Sequence, residues 1–511
     1  MSGMAELAQV VGLSVRSGAE GEIWAECDEA QFNSAARELA RRARLSDLFA
    51  GISEGVPYLT VVFSTIGDSS WLLLRTTLAS DRFQSLTPAV HAASWYEREI
   101  AEMYGLHPDG HPAAQPLRLH DWPHAYRPMR DPMDEMKSLP HGRGDRVPKV
   151  RGQGVFQLPL GPVRSGPQES AEFLFNSGGE DLVMVAPRFG YKMRLVERLA
   201  EGKSVEDALL LAERLAGIST FANALAFVQA AERASGIEVG EETRRARSLL
   251  NELERLHHHF GHLGRVADST GMAVPAAQYA ALKEEVLRIG ADLVGHRYLR
   301  GALAPGGLAL QLAEVGRTHL AAAIPRWEEN TKRLESLLED TATFIDRLET
   351  TAVLPAAYAL HHYLVGPIGR SSGVDRDARR DHPYADYASL TFDVLVKSQG
   401  DALARVRVLL FEIGQALALI EQLLDAARSE AVASFKLSGP GGALGWAEAP
   451  GGEVLNYVEL DAAGNVRRWR ARPPAVVNWH PYAHACASGN NLTDYPVIEA
   501  SFSLSIAEFD R

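Results

Sequence analysis

Cysteine is almost missing from this chain. Cys27 and Cys486 are the two present in 511 residues, and they stand far apart. That excludes a disulfide framework and points to a reducing compartment. No C-x-x-C occurs, so an iron–sulfur cluster held by four thiolates of this chain is excluded. Long apolar runs are missing too. The most apolar region, Ala402 to Ala427, is broken by Arg405, Arg407, Glu412 and Glu421 and reads as a buried bundle helix, not a membrane span. Met1 to Val11 lacks the basic start and apolar run of a signal peptide, so membrane contact is expected through partners. There is no basic excess. The net charge of −13 argues against nucleic acid as a partner and against a polybasic hold on anionic lipid. No phosphate-loop pattern surrounds Gly161, Gly306 or Gly307, so nucleotide binding has no support.

What is present is globular material, 46% hydrophobic and 23% charged, in a chain long enough for two or more domains. Residues 1–130 read as an α/β domain. Val56 to Ser64 and Trp71 to Leu78 are strand-like and flank a turn at Gly67 and Asp68. Gln31 to Leu48 has helical composition, and Ser94 to Tyr104 reads as a helix ended by Gly105. Residues 131–154 carry three prolines, four glycines and many charges, and read as a linker. Residues 155–511 read as a large helical-bundle domain with small β-hairpins at its start and end, giving an α+β fold overall. Ser204 and Asp207 form a capping start. Ala246, Leu249, Leu250, Leu253, Leu256, Phe260 and Leu263 make one face of a long helix. Glu328 to Thr350 and Tyr387 to Ala427 are expected as further long helices, separated by a Gly- and Pro-containing stretch around His361 to Pro383. Val454 to Leu460 and Val466 to Arg470 read as a closing hairpin.

Several segments carry a resemblance. Trp95 to Gly105, followed by Gly110-His111-Pro112, His120-Asp121-Trp122 and Arg127 to Arg130, resembles the 30 kDa subunit of complex I. Leu160 to Val163, Gly190-Tyr191-Lys192, Glu197 to Gly202 and Glu252 to Leu256 resemble the 49 kDa subunit and the large subunit of membrane-bound nickel–iron hydrogenases. So do Gly366-Pro367, Gly369 to Gly373 with Asp377, and Glu448-Ala449-Pro450 with Gly452-Glu453. Fusion of the two modules is familiar from formate hydrogenlyase-type enzymes. The resemblance implies a large peripheral-arm subunit of a membrane-bound, ion-translocating oxidoreductase, on the cytoplasmic face. It also implies an iron–sulfur partner with a 4Fe–4S cluster and membrane subunits of the antiporter type.

Hydrogenases of this kind hold nickel and iron on two C-x-x-C pairs, because those metals are tuned by sulfur. The resemblance places the four ligand positions at Ala216, Ser219, Ser505 and Glu508, none of which is a thiolate. No metal or cofactor is therefore expected in this chain, and hydrogen turnover is not expected. The chain ends at Asp510-Arg511, as complex I subunits do. In complex I the same cavity is the head of the quinone chamber, where a His, a Tyr and an Asp act on the quinone. Here Arg164 stands at the His position, the Tyr position falls on or near Gly217, and Asp268 keeps the Asp. Arg164 can donate hydrogen bonds but cannot deliver a proton near neutral pH. Glu169 and Glu172 lie beside Arg164, and Arg370 and Asp377 are candidates for the cavity wall or for a bundle salt bridge.

Other groups have plainer readings. His258 and His262 have the i, i+4 spacing of paired ligands, but a third ligand is not evident. Arg188, Lys192, Arg194 and Arg198 read as a solvated helix face or as contact with an acidic partner. Two further functions stay open: a quinone-reducing NADH dehydrogenase-type subunit, and a non-catalytic scaffold that docks the iron–sulfur subunit on the membrane arm.

Overall fold

The structure is a computed structural model and describes residues 3–140, 147, 149–165, 168–424, 437 and 441–511. The N-terminal sheet has the order β1 (Val15–Ser17), β2 (Glu22–Glu26), β5 (Asp68–Thr77), β4 (Val56–Thr65), β3 (Arg44–Ser53). The β2–β5 pair is parallel and the other pairs are antiparallel. Helices α1 (Gly3–Val10) and α2 (Glu29–Ala40) belong to this module, as does α3 (Ser94–Tyr104), which ends on left-handed Gly105. The helix expected over Gln31 to Leu48 is corrected: it stops at Ala40, and Arg44 onward is β3. Pairing with β4 decides that segment, and such a distant partner leaves no local mark.

Both faces of this sheet are covered, which explains its nearly continuous apolar strands. Leu59, Val61, Phe63, Leu72 and Leu74 pack on the module's own helices. Tyr58, Val62, Trp71, Leu73 and Phe49 face the other way and join the core of the C-terminal bundle. A short parallel pair, β6 (Arg82–Gln84) with β7 (His107–Asp109), completes the module. The expected linker holds a single 3-10 turn at Glu135–Ser138 among its described residues; residues 141–146 and 148 of it lie outside them.

The second domain opens with a three-stranded antiparallel sheet, β8 (Val155–Leu160), β9 (Glu172–Gly178) and β10 (Asp181–Arg188). Helices α4 (Val196–Ala200), α5 (Val205–Ala212) and α6 (Thr220–Ala234) follow, and Ser204 caps α5 by accepting from the Asp207 amide. Then come α7 (Glu241–Ser269), α8 (Ala273–Val294), a small ribbon of β11 (Leu303–Ala304) and β12 (Gly307–Leu308), and α9 (Glu314–Glu339). Short helices α10 (Ala342–Leu348), α11 (Ala356–His361), α12 (Gly366–Ser371) and α13 (Ala378–Asp381) precede α14 (Ala402–Leu424). A second antiparallel sheet, β13 (Gly441–Ala449), β14 (Gly452–Leu460) and β15 (Val466–Arg472), includes the expected closing hairpin. Helices α15 (Pro474–Asn478), α16 (Tyr482–Cys486), α17 (Tyr495–Phe502) and α18 (Ile506–Asp510) end the chain.

Two helix expectations are corrected. The one placed over Glu328 to Thr350 breaks at Thr341, between α9 and α10. The one placed over Tyr387 to Ala427 begins only at Ala402; residues 425–427 lie outside the described residues. Among the described residues, no helix is long and apolar enough to cross a membrane.

Helix α7 organises the bundle. Its predicted apolar face is buried, but so are Glu252, Glu254, Arg255, His257, His258, His259 and His262. The buried middle of such a helix must find partners for the polar groups it carries.

Candidate functional site

The cavity forms where two turns meet. One is the end of α5 through the start of α6, with Ala216 and Ser219. The other is the start of α18, with Ser505 and Glu508. Ser219, Ser505 and Glu508 line one small cavity together with His258, His262, Ser501, Pro367 and Pro450. Its volume, about 20 Å³, admits a single water and neither a metal pair nor a quinone ring. Ala216 is buried beside it in the chain, its carbonyl accepting from Thr220 Oγ1 at 3.3 Å.

The donor set does not fit a nickel–iron centre. Ser505 Oγ is engaged as the cap of α18, accepting from the Glu508 amide at 3.1 Å. Glu508 accepts from Asn223 Nδ2 at 3.1 Å. Burial pushes the Glu508 carboxyl up to about 7, against the hydrogen bonds from Asn223 and Ser219 that favour the charge. A carboxyl and two hydroxyls are hard oxygen donors and offer none of the soft thiolates such a centre requires.

The turns are held by charge at their ends. Glu169 accepts from Ser505 Oγ, from the Ile506 amide and from the Ala507 amide, so it sits at the positive end of α18. Arg194 donates to Leu215 O at 2.8 Å and Ala507 O at 2.9 Å, bridging the two turns directly. The basic run that contains Arg194 is therefore corrected: only Arg198 lies on a helix, and Arg188 pairs with Glu172 at 3.0 Å.

Arg164 is also committed. It ion-pairs with Glu499, donates to Glu169 O at 2.8 Å and lies over the Phe173 ring. Asp268, expected as its neighbour in function, lies on an exposed face of α7 and is not among the cavity-lining residues. Gly217 lies in the turn between Ala216 and Ser219, where an added Cβ would meet open space.

Arg370 and Asp377 are placed behind the cavity rather than in its wall. Arg370 binds Glu412 at 2.8 Å, Glu448 at 2.9 Å and Asp377 at 3.4 Å, all fully buried. Asp377 binds Arg379 at 2.7 Å, and Arg379 binds Glu252, which also meets Arg255. Burial pulls Asp377 up, but the Arg379 and Arg370 charges prevail and hold it down at about 2. Burial and the Asp377 carboxylate push Glu448 up.

The i, i+4 spacing of His258 and His262 offers two ligands without a third, and α7 uses its histidines differently. Their spacing places Glu254, His258 and His262 on one helical face, and His258 and His262 line the cavity. His258 Nδ1 lies 3.4 Å from His259 Nδ1, and His259 Nε2 lies 2.9 Å from Glu412. A hydrogen-bonded line therefore runs from the cavity wall into the buried ion network. Glu254 accepts from the Phe221 and Ala222 amides, and burial pushes it up to about 8.

Comparison with known proteins fits this arrangement. Residues 25–137 match the family "Respiratory-chain NADH dehydrogenase, 30 Kd subunit", and 269–438 match its 49 Kd counterpart. Residues 194–267, which contain the first turn and most of α7, match the nickel-dependent hydrogenases. Hydrogenase-4 component G of Escherichia coli is 30% identical, over 87% of this chain and 79% of that protein. The chain belongs to this family of large subunits. Formate hydrogenlyase subunit 5 of the same organism is likewise 30% identical, over 87% of this chain and 80% of that one. Among solved structures, that of the membrane-bound sulfane sulfur reductase, an archaeal respiratory membrane complex, matches with a TM-score of 0.65 at 25% identity. It covers 70% of this chain and 99% of that chain. The relatives thus include subunits of hydrogenases and of NADH-quinone oxidoreductase, and the solved structure is of a respiratory membrane complex.

Proposed function

We propose that this member of the family works without a nickel–iron centre, as the large peripheral-arm subunit of an ion-translocating oxidoreductase. The observation that carries the reading is the composition of the cavity. Ser219, Ser505 and Glu508 line it without sulfur, with Ala216 buried nearby in the chain, while the ion network behind it is in place. A 4Fe–4S subunit docks at the cavity face, antiporter-type subunits hold the assembly at the cytoplasmic face of the membrane, and this chain carries no cofactor. Electron arrival at the partner's cluster is matched by reorientation of the hydrogen bonds along the His258, His259 and Glu412 line, and the charge redistribution passes into the bundle. Quinone reduction is a second reading; it rests on the family Asp kept at Asp268, which here lies outside the cavity wall. It requires a partner surface to complete a chamber that this chain alone fills to the size of a water.

The test is purification of the complex with its partners, metal analysis, and assays for hydrogen turnover and for reduction of a soluble quinone. Neither nickel nor hydrogen turnover is expected. Stoichiometric nickel lost on Glu508→Ala would overturn the reading. Quinone turnover abolished by Asp268→Ala would favour the second one. No turnover of either kind, with assembly intact in Arg164→Ala and Asp268→Ala, would reduce the role to a scaffold.

A further inference from the structure

Three histidines from three separate segments converge where the N-terminal module meets the C-terminal domain. His91 stands in a 3-10 turn, His91–Ala93, immediately before α3. His362 caps α11, and His480 follows α15. One ligand nitrogen from each lies within 4.8 Å of those from the other two. His362 Nδ1 and His480 Nδ1 are 3.3 Å apart. Two nitrogens on one tetrahedral zinc, each about 2.0–2.1 Å from the metal, are held about 3.3 Å apart.

The surroundings fix the rings and keep them neutral. Trp95 stacks on His480 with centroids 4.7 Å apart, and Tyr358 stacks on His362 at 4.3 Å. His91 meets the His362 ring edge-on at 5.0 Å and is exposed on its other side, which leaves a way in from solvent. Burial, with the like charges of His91, His361 and His484, lowers His362 to about 3. His91 and His480 are lowered as well, by burial first. Neutral imidazole is the form that binds a metal. A small cavity of about 10 Å³ beside His362 and His480, lined also by Trp95, Tyr363 and Val476, is at the lower limit for one water as a fourth ligand.

We propose that His91, His362 and His480 form a site for a borderline divalent transition metal, Zn²⁺ above all, which clips the N-terminal module to the C-terminal domain. An all-imidazole set selects such an ion over Mg²⁺ or Ca²⁺, which take oxygen ligands. The site shares no residue with the vacated cavity and stands whether or not the reading of that cavity does.

The test uses the full chain, freed of any affinity tag and treated with chelator, then titrated with Zn²⁺ by calorimetry and with Co²⁺ by visible absorption. One Zn²⁺ per chain is expected, with Co²⁺ d–d bands of a three-nitrogen site. Zinc at a hundredfold excess over its Kd raises Tm by roughly 2–4 °C. His362 is buried and its replacement risks the fold, so His91→Ala, on the exposed side, is the informative variant. It is expected to weaken Zn²⁺ binding at least tenfold, while His319→Ala, on the exposed side of α9, leaves it unchanged. No bound Zn²⁺, or unchanged affinity in His91→Ala, would overturn the proposal.

Discussion

Asp47 of β3 accepts two hydrogen bonds from Arg470 of β15, at 3.0 and 2.9 Å, more than four hundred residues along the chain. Arg470 also binds Glu99 of α3, and Arg44 pairs with Glu453 at 2.8 Å in the same seam. These ion pairs are buried, so the modules that the sequence presents as separate share one interior. Removing one partner leaves a charge in that interior without its counterion. Asp47→Ala is expected to cost about 3 kcal/mol, with Glu99 retaining part of the Arg470 interaction. Because one face of the N-terminal sheet joins the bundle core, the chain should unfold in a single transition by calorimetry. A separate early transition for residues 1–130 would show that the seam does not couple the modules.

Glu252 sits on α7 with no exposed surface, 3.0 Å from Arg255 and 3.2 Å from Arg379. Burial raises its pKa, but Arg255 and Arg379 prevail and hold it below the ordinary carboxylate value. Glu252→Lys would place a third cation among them and should prevent folding, and with it assembly. Glu252→Gln keeps the shape and loses the charge, at a cost of about 3 kcal/mol. Soluble expression and circular dichroism separate the two, and a folded Lys variant would show that the ion network is dispensable.

Gly366 adopts a left-handed φ of 66° where α12 begins, and an added Cβ would strike the Gly451 carbonyl. Gly451 lines the cavity next to Pro367 and Pro450, so this backbone approach builds the cavity floor. Gly366→Ala is expected to destabilise by roughly 2–4 kcal/mol through strain and clash. Gly217→Ala, with open space at its Cβ, should stay within about 0.5 kcal/mol. Denaturant midpoints of the two variants make the comparison.

Periodic or locally capped features were legible in the sequence. The apolar face of α7, the Ser204 cap and the Gly105 stop of α3 each leave a short-range mark. Features set by a distant partner were not. Residues 41–48 contain no breaker, and β3 exists there because β4 pairs with it. Residues 390–396 are apolar enough for a helix, yet the side chains of Gln415 and Gln422 accept from the Asp393 and Thr391 amides instead. At the site, the positions of Ala216, Ser219, Ser505 and Glu508 came from the family resemblance. The Arg194 bridge and the His258–His259–Glu412 line depend on contacts between elements that no spacing reports.

Glu508 makes the cavity sensitive to pH, and the sign follows from its environment. Burial raises this carboxyl from 4.5 to about 7 in the folded chain. Between those values the unfolded chain has released the proton while the folded chain retains it, so the folded state binds more protons. Stability therefore falls as pH rises through that window and levels off above it. The contribution is about 3 kcal/mol at most, because each tenfold change in proton affinity is worth about 1.4 kcal/mol. Glu508→Gln keeps an acceptor for Asn223 and removes the titration. The variant should match the parent near pH 4.5 and exceed it by up to about 3 kcal/mol at pH 8, as read from urea denaturation at both values. Glu254 is also raised, in part by the Glu508 charge, so the difference between the two proteins reads Glu508 together with the relief of Glu254. Equal stability at pH 8 would mean that burial does not raise the Glu508 carboxyl, and the vacated position would then hold an ordinary carboxylate.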